Sequence, residues 1–570
     1  MKVRGSKLVV RALADEKVRF TFGIPGTHNI EIYDALADAP GIEPVLVTSE
    51  LAAAFLADGL SRTSSEVGVL MVVPGAGVTH ALSGIAEAYL DQVPLVVIAC
   101  GIRTDTGAAY QLHDIDQLAI LRPVTKAAWR ADEADDIYPL IRLAFQRARR
   151  PPCGPVAVEV PANLLMLHHE LPELTVPVEP DPDVEPEPGI LDRAAALLAS
   201  ASRPALYLGL GAAGAGEGLV ELAERLAAPV TTTFQGKGVF PESHPLWLWN
   251  GFGRQAPPFV RRVMEPCDAL LAIGCRFGEV ATGSYGIDPP EKLIHVDIDV
   301  DVFHRNYRAA IAVRSDAAVA VDGLLERLEP RPRRLRLEER IADGHRQIEN
   351  RRESTSSRRV TPGALFRGLR RHCREDAIYT ADSGNGTFLA IEHLRLDGPN
   401  RFIAPVDYSC MGYSVPAAIG AAFANPGTDV VALAGDGAFL MTGLELLTAV
   451  ANRRAPLVCV LRDGKLGQIA QFQKVPLNRQ TCTVLPRFDV GDIASAIGAA
   501  HFRMRRDRDV DAVLSDALAE TRSGRPALVD VAIDVSETTY FTRGVLATNL
   551  RRFPAAERTR MIGRALGRRL

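Results

Sequence analysis

Residues Asp429–Gln473 read DVVALAGDGAFLMTGLELLTAVANRRAPLVCVLRDGKLGQIAQFQ, and this stretch decides the fold. DVVALA is a short apolar, β-branched run that stops at Gly435-Asp436-Gly437. LELLTAVANRR has helical spacing, and PLVCVL is a second apolar run that stops at Arg462-Asp463-Gly464. Nearly continuous apolar runs on either side of a helical segment predict two parallel strands, joined by a crossover helix and covered on both faces. Asp436 and Asp463 then stand at the carboxyl ends of two strands, the edge where open α/β sheets bind ligands. Two carboxylates there, beside glycines that let backbone approach a phosphate, suit Mg²⁺ together with a diphosphate. Aspartate is also an ordinary turn residue. The 27-residue separation of the pair in this strand–helix–strand setting is what argues for ligands.

The same alternation runs outward through the chain. VGVLMVV, PLVVIAC and GPVAVEV precede it in a first block, and ALYLGLG, ALLAIGC and LIHVDID in a second; PALVDVAI follows it in the third. We therefore expect an α/β protein of three doubly wound parallel-sheet domains, at 1–170, 189–330 and 360–545, followed by a basic tail at 546–570. The proline-rich stretch Glu170–Gly189 reads as an extended connector. Glu329–Pro362, rich in arginine and glutamate, reads as a second linker with a solvated helix in its middle. The outer blocks echo each other: Gly75-Ala76-Gly77 and Gly435-Asp436-Gly437 each precede a helical stretch and then a Pro-Leu-Val strand start.

Composition narrows the function. Of 570 residues, 47% are hydrophobic and 24% charged, the balance of an ordinary globular chain. Lys and Arg (65) nearly match Asp and Glu (69), so a protein built around nucleic acid is not expected. No apolar run approaches the ~20 residues of a membrane span, and the N-terminus lacks a signal-peptide core. The eight cysteines contain no C-x-x-C, which points to neither a disulfide framework nor a zinc site. A cytoplasmic enzyme is the expectation.

G-D-G followed at this distance by a second oxygen ligand resembles the thiamine-diphosphate (ThDP) enzymes of the acetolactate synthase and pyruvate decarboxylase superfamily, and motif order is most similar to the acetolactate synthase-like group. The resemblance covers residues 1–545. It implies a pyrimidine-binding, a central and a diphosphate-binding domain. It implies that Asp436, Asp463 and the backbone carbonyl of Lys465 hold Mg²⁺, with Asp463 in a slot that is usually asparagine. Gly435, Gly437, Gly384, Asn385 and Gly412 fall where the family contacts the cofactor, and Met411 where a bulky side chain props it into a bent shape. Glu50, in E-x-x-A-A-x-x-A-D-G-x-x-R, resembles the glutamate that activates the aminopyrimidine ring, although Ser49 stands where histidine is common. Such a glutamate begins a helix whose dipole favours its charge while burial opposes it.

Substrate positions are less uniform. Gln468 and Ile469 occupy the pocket-lining places of a loop similar to the family's, with Phe472 in place of tryptophan. Gln468 brings a hydrogen-bonding amide that should alter acceptor preference. His28 and His113 fall in loops that reach the cofactor, where decarboxylases and lyases of the superfamily place proton donors. The resemblance implies decarboxylation of a 2-oxo acid, with ligation of the remaining fragment to a second carbonyl. It also implies a homodimer or homotetramer, because Glu50 and the Mg²⁺ ligands meet across subunits. Release of an aldehyde, a flavin-dependent pyruvate oxidase and a non-catalytic cofactor-binding paralogue remain open alternatives. FAD is left open by the glycine-rich turn 209–216 and by Gly274–Phe277 and His295–Asp299 of the middle block.

Overall fold

The computed structural model describes residues 2–170, 174–179, 184–353 and 358–568. Three six-stranded, wholly parallel sheets follow one another along the chain. Each apolar run named above forms a strand, among them Gly68–Val72, Leu95–Gly101, Pro204–Leu208, Val430–Gly435 and Leu457–Leu461. All five residues of Gly68–Val72 are buried, as a strand covered by helices on both faces requires.

Numbered within each unit, the first and third sheets share one strand order, 2-1-3-4-6-5, whereas the middle sheet runs 3-2-1-4-5-6. The likeness of the outer blocks thus extends from their glycine motifs to their whole topology. In the third unit the order reverses between Ile378–Ala381 and Val430–Gly435. A crevice opens at such a switch point, and both strands point their carboxyl ends into it.

The outer units share one continuous core, in which Leu56, Ala57 and Leu60 meet Val415, Ala418 and Ile419. Here helix Glu50–Arg62 crosses helix Ser414–Ala424 backbone to backbone. A Cβ on Gly59 would lie 2.2 Å from the Ala417 carbonyl oxygen, and one on Gly420 1.9 Å from that of Leu56. The middle unit is riveted to the third by a fully buried ion pair. Lys237 Nζ donates to Glu242 (2.8 Å) and to the Leu394 carbonyl (2.7 Å), while Glu242 accepts the Leu396 N–H (3.0 Å).

Three elements differ from the sequence expectation. The run VLVTS ahead of Glu50, whose β-branched residues predict a strand, lies only partly in one, Glu43–Leu46, which ends before Thr48. The crossover after Val430–Gly435 begins at Asp436 itself and is broken, as helix Asp436–Thr442, a 3₁₀ turn Gly443–Glu445 and helix Leu446–Ala451. The helix in the second linker, Leu335–Glu353, buries Leu337, Ile341 and Ile348 in the middle core, so it is amphipathic rather than fully solvated. Of the proline-rich connector, residues 171–173 and 180–183 lie outside the described residues. Glu179, which is described, accepts from Arg147 and Arg150 (3.2 Å each). In the tail, Arg564 and Arg568 of helix Ala555–Gly567 and the residue after it donate to the Pro476 and Leu477 carbonyls (3.4 and 2.8 Å). Those carbonyls end helix Gly467–Leu477, where cations are favourable. Among the described residues no helix is long and apolar enough to cross a membrane. All eight cysteines are free thiols.

Candidate active site

A cavity of about 110 Å³ lies at the switch point of the third sheet. Gly384, Asn385, Met411, Gly435, Asp436, Gly437, Asp463, Lys465 and Gln468 all line it, joined by Ile469, Leu389, Ile533 and Val535. Residues chosen from four separate sequence segments thus converge on one crevice.

The two aspartates are oriented by backbone. Asp436 accepts the N–H of Gly464 (2.8 Å) and of Gly437 (3.0 Å), and Asp463 accepts that of Lys465 (3.0 Å). Burial raises the pKa of both, and neighbouring Asp463 adds to the rise of Asp436 to about 6. Two carboxylates repelling each other in a buried crevice are suited to a divalent cation. Among the described residues no three His, Cys, Asp or Glu side chains converge to bind a metal unaided. Mg²⁺ held here would need a diphosphate, water or backbone carbonyl for its remaining ligands.

The phosphate side of the crevice has room and unused donors. Nothing lies within 4 Å of a Cβ built on Gly435 or Gly464, and Gly464 has φ +74°. Asn385, first residue of helix Asn385–His393, has both side-chain polar atoms buried without a hydrogen-bond partner. Buried amides are rarely left so, and an anion at this helix start would satisfy the donor. A Cβ on Gly467 would stand 2.3 Å from Asp463 Oδ2 and 3.0 Å from Asn385 Nδ2, which places these groups side by side. The residues present fit a metal-bound diphosphate.

Gly412 lies behind the crevice. At φ +88° it donates its N–H to Asp382 (2.9 Å) and gives its carbonyl to the Thr442 hydroxyl (2.7 Å). Fully buried Asp382 also accepts the Ser414 N–H and hydroxyl, so it pins the turn that presents Met411. The first unit holds the same turn from the other side. Glu87 accepts the Cys410 N–H (2.9 Å), and Tyr413 donates to Asp58 (2.5 Å) within a buried group where Arg62 pairs with Asp58 (2.7 Å) and Asp91 (2.8 Å). Burial and adjacent Asp91 push the pKa of Glu87 up, which favours its neutral form.

Glu50, His28 and His113 form a second cluster, in the first unit, and do not line this cavity. Glu50 opens helix Glu50–Arg62 and is 9% exposed. One carboxylate oxygen lies 3.3 Å from His80 Nδ1, and the other is 3.5 Å from a Cβ built on Gly77. His28 and His113 meet edge to face at 5.5 Å, and a Cβ on Gly75 would stand 2.9 Å from the His113 carbonyl oxygen. The turn Gly75–Gly77 therefore touches both the acid and the histidine pair. Burial, then the facing imidazole, lowers the pKa of His28.

Asp382, His80 and Glu445, whose carboxylate accepts the Thr48 N–H, were not foreseen. Asp382 had a signal, since A-D-S-G after Ile378–Ala381 repeats the aspartate-at-strand-end pattern of Asp436. His80 and Glu445 had none, because their contacts arise only when separate segments meet.

The three units match, in order, "Thiamine pyrophosphate enzyme, N-terminal TPP binding domain" at residues 3–120, "central domain" at 191–324 and "C-terminal TPP binding domain" at 382–531. The chain is 33% identical to acetolactate synthase isozyme 3 large subunit of Escherichia coli, over 94% of this chain and 96% of that one. It is 31% identical to a probable acetolactate synthase large subunit of Methanocaldococcus jannaschii, over 94% and 93%. Acetolactate synthase of Mycobacterium bovis is 30% identical, over 91% and 86%. Fold and crevice together define a thiamine-diphosphate-dependent enzyme. Within that class the chain belongs to the acetolactate synthase family.

Proposed function

We propose that this protein decarboxylates a 2-oxo acid and joins the remaining fragment to a second carbonyl compound, using ThDP and Mg²⁺. The observation that carries the reading is the convergence of Asp436, Asp463, Asn385, Met411 and Gln468 on one crevice, in a chain whose relatives are named acetolactate synthases. When bound, ThDP supplies a nucleophilic carbon and a place for the electrons that CO₂ leaves behind. Asp436, Asp463 and the Lys465 carbonyl would hold Mg²⁺ and, through it, the diphosphate. Met411 would support the bend of the cofactor. Glu50 would hold or release a proton at the aminopyrimidine nitrogen. The His28–His113 pair would exchange a proton with substrate oxygen, since the lowered pKa of His28 favours the neutral ring. Gln468 and Ile469 at the crevice mouth would select the second carbonyl compound.

Because Glu50 lies outside the diphosphate crevice of its own chain, the reading requires at least a homodimer. Leu440, Met441, Leu444 and Leu447 leave an apolar face exposed on the broken crossover, which supports association there. FAD as a second cofactor is supported by a cavity of about 320 Å³ at the carboxyl edge of the middle sheet. Buried Gln235 Nε2 and Ser315 Oγ have no partner there, and Asp297 and Asp316 on the cavity wall would accept from ribose hydroxyls. A reducing compartment such as the cytoplasm suits the eight free thiols.

The test is a panel of 2-oxo acids incubated with ThDP and Mg²⁺, following CO₂ and identifying the carbon products. A hydroxy-oxo acid product supports the reading, whereas an aldehyde means simple decarboxylation. No turnover on any member means a cofactor-binding paralogue. A flavin absorption band in the purified protein decides FAD.

A further inference from the structure

We propose that Glu445, in the diphosphate-binding unit, is a positioning residue for Glu50 in the pyrimidine-binding unit. The inference rests on the assignment of Glu50 above. Glu50 starts its helix, yet the segment leading into it is poorly fixed by its own contacts. The preceding strand ends at Leu46, and Ser49 sits at the N-cap without the side-chain hydrogen bond a serine usually makes. Its own unit holds the segment through Val47, which is buried and donates its N–H to the Gly23 carbonyl (3.4 Å), whereas Thr48 is held by the other unit.

Thr48 donates its N–H to both carboxylate oxygens of Glu445 (3.2 Å each) and its hydroxyl to one of them. The Thr448 hydroxyl donates to the other oxygen at 2.5 Å. Glu445 is 1% exposed, and burial raises its pKa while these neutral donors lower it. A carboxylate so enclosed is directional, since few other partners are within reach.

The chain is bent to put it there. Helix Asp436–Thr442 gives way to the 3₁₀ turn Gly443–Glu445, and a Cβ on Gly443 would stand 2.5 Å from the Phe439 ring. The break turns Glu445 toward Thr48 only nine residues after the metal ligand Asp436. One short segment thus orders the metal side of one cofactor and the entry of the acid that, in the dimer, serves the other.

The experiment uses the full-length holoenzyme with ThDP and Mg²⁺ and measures hydrogen–deuterium exchange at the reactive carbon of bound ThDP, alongside ThDP affinity. Glu445→Gln keeps shape and one acceptor oxygen but turns an NH₂ toward the Thr48 donors. Exchange is expected to slow about 10- to 100-fold, the scale of a sub-ångström to 1 Å misplacement, with ThDP affinity changed less than about threefold. Unchanged exchange overturns the proposal. So does a loss of exchange matched by an equal loss of ThDP affinity, the mark of a merely structural residue. Should Glu445→Gln fail to fold, Thr48→Val, which keeps the N–H but drops the hydroxyl, is expected to slow exchange, and Thr48→Ser to recover it. Equal rates in those two variants overturn the proposal. Natural protein that does not accelerate exchange over free ThDP refutes the role of Glu50, and this inference falls with it.

Discussion

At the residue scale, four carboxylates do different work because their surroundings differ. Asp436 and Asp463 are aimed by backbone N–H groups into open space, whereas Glu50 packs between a histidine and a glycine turn. Asp463→Asn keeps an oxygen ligand and removes the repulsion on Asp436. It is expected to retain Mg²⁺-dependent activity, while Asp436→Ala loses it; titration of activity with Mg²⁺ checks both. Glu50→Gln is expected to lower kcat by about 100-fold or more and to leave ThDP binding in place, as seen by calorimetry. Glu87 is different again. Its pKa rises from 4.5 to about 9 in the folded chain, so between those values the folded state binds a proton that the unfolded state has lost. Its contribution to stability therefore falls as pH rises through that window, on the order of 1 kcal/mol per pH unit. Glu87→Gln removes the dependence and still accepts from the Cys410 N–H. Its melting temperature is expected to exceed that of the natural chain by a margin that widens from about pH 5 to about pH 9.

At the element scale, the crossing of Glu50–Arg62 with Ser414–Ala424 sets the geometry of everything after it. Gly420→Ala drives a methyl into the Leu56 carbonyl and is expected to destabilise the protein by about 1–3 kcal/mol, measured by urea unfolding. This close approach was not legible in the sequence, where A-I-G-A-A is merely a good helical stretch. The strands were legible, because a fully buried parallel strand must be apolar throughout. So was the meeting of Gly435, Asp436 and Asp463 at one crevice, because turn glycines and strand-end aspartates are local signals. The 3₁₀ break at Gly443–Glu445 was hidden for the opposite reason. LELLTAVANRR has helical spacing from end to end, and what diverts its start is the packing of Phe439 and the pull of Thr48, two partners outside the stretch. Gln468 lines the same crevice, with its Oε1 3.8 Å from a Cβ built on Gly384.

At the scale of the whole molecule, Glu50 and the Asp436–Asp463 pair lie in separate clusters of one chain, so on the proposed reading activity should belong to the assembly. Neither Glu50→Gln nor Asp436→Ala homodimers should turn over. Subunit exchange between them rebuilds one intact site in each mixed dimer and is expected to restore about a quarter of natural activity at random reassortment. No recovery after verified exchange would place both halves of a site in one chain. Charge on the exposed apolar face, as in Leu444→Glu, is expected to yield smaller and inactive species on size-exclusion chromatography. The buried pair Lys237–Glu242 bears on modularity. A chain that reads as three cassettes invites excision of the middle one to make a minimal enzyme. Removing it would leave the Leu394 carbonyl and the Leu396 N–H to water and expose Phe388 and Phe541, which pack on Phe234 of the middle unit. The middle cassette is a keystone as much as a passenger, and shortened or recombined versions of this enzyme must carry it, or another cover for those phenyl rings, to remain folded.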